Sequence, residues 1–172
     1  MVPVSIPFPE PTRPAADRTE VLVRYLDYYR AVLLSKVDGL TEVQLRGSVL
    51  PSGWSPLELV KHLTYVEMRW LEWGFEGADV DDPWGDNEDG RWHVGTDEAT
   101  AELLAALRDR GRTTAAIAGR HALDDLGAPG ERWDGDPPAT LERCLLHLVQ
   151  EYARHVGHLD VVRELLDGRT GE

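Results

Sequence analysis

A chain of 172 residues, 42% of them hydrophobic, is long enough to bury one full core and too short for two comfortable ones, so a single domain over 1–172 is expected. The formal net charge of −13, from 31 acidic against 18 basic residues, argues against nucleic acid and against anionic membrane surfaces, since both call for a basic face. Cys144 is the only cysteine, which excludes an internal disulfide and leaves a cytoplasmic home as the default.

Residues 1–16 are proline-rich, with neither a basic leader nor a long apolar run, and predict an extended arm that is not a signal peptide or a spanning segment. From there apolar residues recur at helical spacing through four long stretches, while strand-like alternation is nearly absent. The first helix is predicted from Asp17 to Val37, with Leu22, Tyr25, Leu26, Tyr29 and Leu33 on one side and Gly39 as its stop. A short piece, "LTEVQLRGSVLPSG", leads to "SPLELVKHLTYVEMRWLEWGFEG". Ser55 there is the N-cap, Pro56 the first helical residue and Glu58 the returning partner of a capping box. Leu59, His62, Leu63, Val66, Trp70 and Trp73 then share one face, so His62 is expected to point at the core.

Residues 77 to 95 form a long acidic loop, beyond the usual length of a helical connection. Trp84 and Trp92 within it are expected to act as a lid over a pocket or as anchors of the loop. The loop fails as a calcium-binding EF-hand, because Thr96 stands where the bidentate glutamate belongs. A third main helix is predicted from Thr96 to about Ala122, with Gly111 a weak point inside it. The last runs from about Thr140 to Leu166 and is stopped by Gly168. The expected fold is an all-α four-helix bundle.

The last helix carries the densest chemistry. At about 100° per residue, His147, Glu151, His155 and His158 fall within roughly 80° of one another, bordering the apolar stripe. A bound cation is one of few ways to compensate a carboxylate and several imidazoles near a core. Glu151 and His155, one turn apart, suit a single zinc, nickel or iron ion, and His62 is the candidate third ligand, leaving an open position for water or substrate. A dinuclear site using Glu58 is disfavoured, because the capping box already employs that residue and di-iron bundles space Glu and His differently. Cys144 reads as a small hydrophobe, since nothing visible activates a thiolate there.

Two segments, "GWSPLELVKHLTYVEMRWLEW" and "TLERCLLHLVQEYARHVGHLDVVRELLDG", resemble the DinB-like, YfiT-type superfamily of metal-binding four-helix bundles, in its actinobacterial, mycothiol-dependent thiol-transferase-like branch. The resemblance implies a DinB/YfiT-like fold and a divalent metal, zinc first and nickel or iron as alternatives, held by His62, Glu151 and His155. It implies a low-molecular-weight thiol such as mycothiol as co-substrate and a small electrophile as the other reactant. His158 and His147 would then be the catalytic pair, orienting a ligand or carrying a proton. Arg91 and Arg154 are the arginines named for substrate carboxylates, with nothing that singles them out. A metal-assisted hydrolase or isomerase using bound water, and a non-enzymatic stress or binding module, remain as alternatives. Apolar surface on a bundle flank leaves room for a homodimer.

Overall fold

Three of the four long helices begin where a short polar side chain can accept an otherwise unpaired backbone amide. In the computed structural model, which describes residues 6–171, helix α1 spans Arg18–Val37, with the Asp17 side chain accepting from the Glu20 amide. A short α2, Glu42–Arg46, has a capping box of Thr41 and Gln44. Helix α3, Pro56–Glu67, starts with the expected reciprocal box of Ser55 and Glu58. Helix α5, Leu141–Asp167, is capped by Thr140 and ends at Gly168 in the left-handed region, φ 73°. Of the expected N-terminal arm, residues 1–5 lie outside the described residues; further along, Phe8 meets Tyr25 and Tyr28 edge-on at 5.7 and 5.1 Å.

Helix α4 departs from expectation at both ends. It spans Thr100–Arg120 and has no side-chain cap. Residues 96–99 are held out of helix because the Glu98 carboxylate accepts the Gly95 amide and the Lys61 ammonium, both at 2.7 Å. At the other end His121 lies between Glu76 and Asp125, at 3.2 and 3.6 Å, and the chain turns away.

Helices α1 and α3 each pack against both α4 and α5, so α1 and α3 sit on one diagonal of the bundle and α4 and α5 on the other. Leu26, Leu33, Leu59, Leu63, Leu107, Ile117, Leu145 and Leu148 meet at its centre, all fully buried. Links that cross a diagonal, 38–55 and 121–140, need their length. The link from α3 to α4 joins neighbours, for which a few residues suffice, yet it occupies residues 76–99. Within it lies a two-stranded antiparallel ribbon, β1 Asn87–Glu88 and β2 Arg91–Trp92.

Helix α3 continues as a π-helix over Met68–Phe75, with the Glu76 amide reaching back five residues to the Leu71 carbonyl at 2.8 Å. An α-helical period would carry Trp70 and Trp73 inward. The wider turn instead buries Leu71 and Phe75 and leaves both tryptophans half-buried. Just before it, Glu67, 1% exposed, accepts hydrogen bonds from Arg30 of α1 (3.1 and 3.0 Å), Thr114 of α4 and Tyr152 of α5. Every helix of the bundle thus contributes one member to a buried polar hub. Burial, then the adjacent Glu67, raises the Tyr152 phenol well above its usual range, so it stays protonated and donates. Gly111 makes room for this hub, since a Cβ there would come within 2.8 Å of the Arg30 guanidinium carbon.

Candidate metal centre

Three side chains from two helices converge where α3 faces α5. One potential ligand atom from each of His62, Glu151 and His155 lies within 4.8 Å of the other two. Glu151 and His155 are placed by one turn of α5, with Nε2 of His155 3.2 Å from Oε2 of Glu151. That separation is close to the roughly 3.3 Å between neighbouring ligands of a tetrahedral zinc ion bound at about 2.0 Å.

His62 lies at the rim of the core and does not point into its centre; its side chain is 14% exposed. Its Nδ1 is 2.9 Å from Oδ2 of Asp86, which leaves Nε2 as the ring nitrogen available to a cation. A carboxylate on the far nitrogen of a histidine fixes tautomer and ring orientation, the usual support of a metal-binding imidazole. Asp86 is itself gripped by Arg69, whose guanidinium donates to both carboxylate oxygens at 2.6 and 3.1 Å. Burial alone would raise the Asp86 carboxyl, but the hydrogen bonds from His62 and Arg69 outweigh it and hold the group below the ordinary carboxylate range.

Asp86 and Trp92 arrive together because the ribbon folds back on itself. Asp89 and Gly90 take left-handed conformations, φ 52° and 77°, as a tight hairpin turn requires, and the His93 amide donates to the Asp86 carbonyl at 2.9 Å. Trp92 then stacks on His62 with ring centroids 4.1 Å apart and 22° between planes, and meets His155 edge-on at 5.2 Å. Trp92 therefore covers the site. Trp84 anchors the loop, lying under the Arg69 guanidinium at 4.5 Å and against Trp73 at 6.3 Å.

Helical spacing points to His62, Glu151 and His155, and of the two roles expected for the loop tryptophans Trp92 takes that of lid and Trp84 that of anchor; Asp86 and Arg69 have no counterpart in the sequence reading. The Asp-Gly pair of "NEDGRW" was the available sign of a hairpin. Glu58 stays out of the site, its carboxylate accepting the Ser55 amide at 2.7 Å. His147 is half-buried, with Nε2 3.5 Å from Oε1 of Glu151 and its ring 4.3 Å from Trp70. His158 is exposed, its ring 5.6 Å from that of His155, and it lines a cleft of about 340 Å³ with Leu50, Ser52, Trp54 and Val161. Cys144 is fully buried, which pushes its thiol up to about 11.

The donor set fits a divalent cation. Burial, followed by the charge of His62, lowers His155 to about 4, so its imidazole is neutral at pH 7 and offers a lone pair. Its Nδ1 is buried without a hydrogen-bond partner, so Nε2, 3.2 Å from Glu151, is the ring nitrogen placed to bind. Two imidazoles and one carboxylate suit zinc, and also nickel or iron.

A family model described as Mycothiol-S-transferase matches the sequence over residues 21–168. Among solved structures, a conserved protein from Enterococcus faecalis is similar, with a TM-score of 0.60 at 18% identity, covering 90% of this chain and 100% of its own. At that identity the likeness concerns the fold. None of the curated proteins matches the sequence.

Proposed function

Because the chain belongs to the mycothiol S-transferase family, we propose that it transfers a low-molecular-weight thiol of the mycothiol type to a small electrophile, using a divalent metal, zinc first, held by His62, Glu151 and His155. The observation that carries this reading is the convergence of those three side chains, with the far nitrogen of His62 engaged by Asp86. When bound, the cation supplies Lewis acidity that favours the thiolate of a coordinated thiol near neutral pH.

The chain's own residues perform the remaining tasks. Trp92 lies over His62 and His155 and keeps bulk water from one side of the ligands. His147 leans on Glu151 and orients its carboxylate. His158, exposed and one turn beyond His155, takes the proton released from the thiol and passes it to solvent. The cleft beside His158 offers room for the thiol co-substrate. In a displacement, the S–C bond forms as the bond to the leaving group breaks, and the leaving group departs with its electron pair. The reading assigns small-molecule reactants and a cytoplasmic setting; no described helix is long and apolar enough to cross a membrane.

Metal analysis of untagged protein, purified without added metal, tests the centre. About one equivalent is expected for a single structural or catalytic ion. Less than about a tenth, with no uptake of zinc or nickel, would overturn it. Conjugation of monochlorobimane with mycothiol by the metal-loaded protein tests the reaction, with release of chloride. A rate that needs metal but no thiol would indicate hydrolysis instead, and no rate with any thiol would indicate a binding module.

A further inference from the structure

We propose that Arg132, laid over Trp70 and linked through Trp70 and His147 to Glu151, is a recognition site for an anionic group, and that the electrophile carries a carboxylate seated there. The proposal rests on the transferase reading for the identity of the ligand, while the site itself rests on geometry alone.

Among the described residues, every other buried or half-buried arginine or lysine has a carboxylate within ion-pair distance. Arg30 has Glu67, Arg69 has Asp86, Arg110 has Glu72, and Arg163 has Asp167. Arg132 is half-buried and has none, although acidic residues outnumber basic ones 31 to 18. Its Nε is buried without a hydrogen-bond partner. An arginine presents a fork of donors matched to a carboxylate, and leaving one partly desolvated and unpaired is costly unless a ligand completes it.

The surroundings hold Arg132 in place without neutralising it. Its guanidinium carbon is 4.1 Å from the centre of the Trp70 ring and 6.0 Å from that of Trp133, a cation–π contact that holds the charge without pairing its donors. Residues Glu131–Trp133 form one 3₁₀ turn, tied down by the Trp133 indole donating to the Ala128 carbonyl at 2.9 Å. Gly74 leaves the space for its stem, since a Cβ there would come within 3.2 Å of Cγ of Arg132. The same Trp70 ring lies 4.3 Å from His147, and His147 reaches Glu151 at 3.5 Å. A continuous set of contacts therefore links the free guanidinium to a proposed metal ligand. Arg91, by contrast, donates to the Ser52 carbonyl at 3.3 Å, and Arg154 is exposed.

Two electrophiles of equal shape separate charge from size: 4-(chloromethyl)benzoate and 4-(chloromethyl)benzamide. With each, the thiolate forms an S–C bond and chloride leaves with the bonding pair. For the metal-loaded protein the ratio of kcat/KM, benzoate over benzamide, is expected to exceed unity by about ten- to a hundred-fold, the range of a charge-assisted hydrogen bond. Arg132→Met should bring that ratio to about one, and Arg132→Lys should leave an intermediate value, because the charge remains without the fork of donors. Unreactive 4-methylbenzoate, titrated calorimetrically into metal-free protein, should bind wild type and lose at least about ten-fold in affinity with Arg132→Met. A ratio near one in wild type, or equal binding to both proteins, would overturn the proposal. If conjugation fails with every electrophile while 4-methylbenzoate binds through Arg132, the anion site stands and the transferase reading falls.

Discussion

Asp86 converts His62 from a half-buried side chain into an oriented donor, and it does so from a loop whose sequence has no periodicity to betray it. Helical spacing makes His62, Glu151 and His155 legible, because positions one turn apart must share a face. Nothing comparable links residue 86 to residue 62. Asp86→Asn should therefore lower zinc affinity by about 10- to 100-fold, measured by competition with a chromogenic chelator; unchanged affinity would show that the carboxylate does not support the ligand. The same substitution has a pH signature in metal-free protein. The folded pKa of Asp86 is depressed, so its stabilising contribution is present above the unfolded value of about 3.9 and is lost as pH falls toward the lower folded one. Asp86→Asn should flatten the stability-versus-pH curve below about pH 5. Cys144 gives a contrasting expectation. With its thiol buried and pushed up to about 11, it should react with a disulfide reagent only as fast as the fold opens, and rapid native labelling at pH 8 would contradict the burial.

Caps and glycine stops place both ends of α1 and α5, and the start of α3, to within a residue or so of where they are observed. Helix α4 is less legible because its start is decided by a tertiary contact, the Glu98–Lys61 pair, and not by a local cap. The π-helix is hidden for a different reason. An apolar pattern assumed to repeat every 3.6 residues assigns Trp70 and Trp73 inward, whereas the wider turn aims Arg69 at Asp86 and buries Leu71 and Phe75. Such turns are often retained at functional sites, and here one presents the arginine that grips the carboxylate behind His62. Gly111 shows how an apparent weakness in a helix can be a packing requirement. In an ordinary exposed helix, Gly→Ala stabilises by up to about 1 kcal/mol. At position 111 the new methyl would strike the Arg30 guanidinium, so Gly111→Ala should destabilise by about 1–3 kcal/mol; urea unfolding checks the sign.

At the scale of the whole molecule, the bundle order follows from which faces are apolar, but the excess length of residues 76–99 acquires its meaning only when Asp86 and Trp92 are seen closing over α3 and α5. Bound metal should stabilise the folded form by mass action, about 2.7 kcal/mol at a hundred times Kd. Thermal unfolding with and without chelator should thus show a higher Tm for the loaded protein, and no difference would argue against a site in the folded state. The hub around Glu67 sets a second global property. Glu67→Ala would leave the buried Arg30 only the exposed Asp27 carboxylate and should cost about 3 kcal/mol, read from the urea midpoint. Because α1, α3, α4 and α5 each supply one member, an assembly of any three helices would hold a buried charge with a partner missing. Partly formed bundles are thereby penalised, so amide exchange should protect the four helices at nearly one common free energy: the hub makes the bundle behave as a single cooperative foldon.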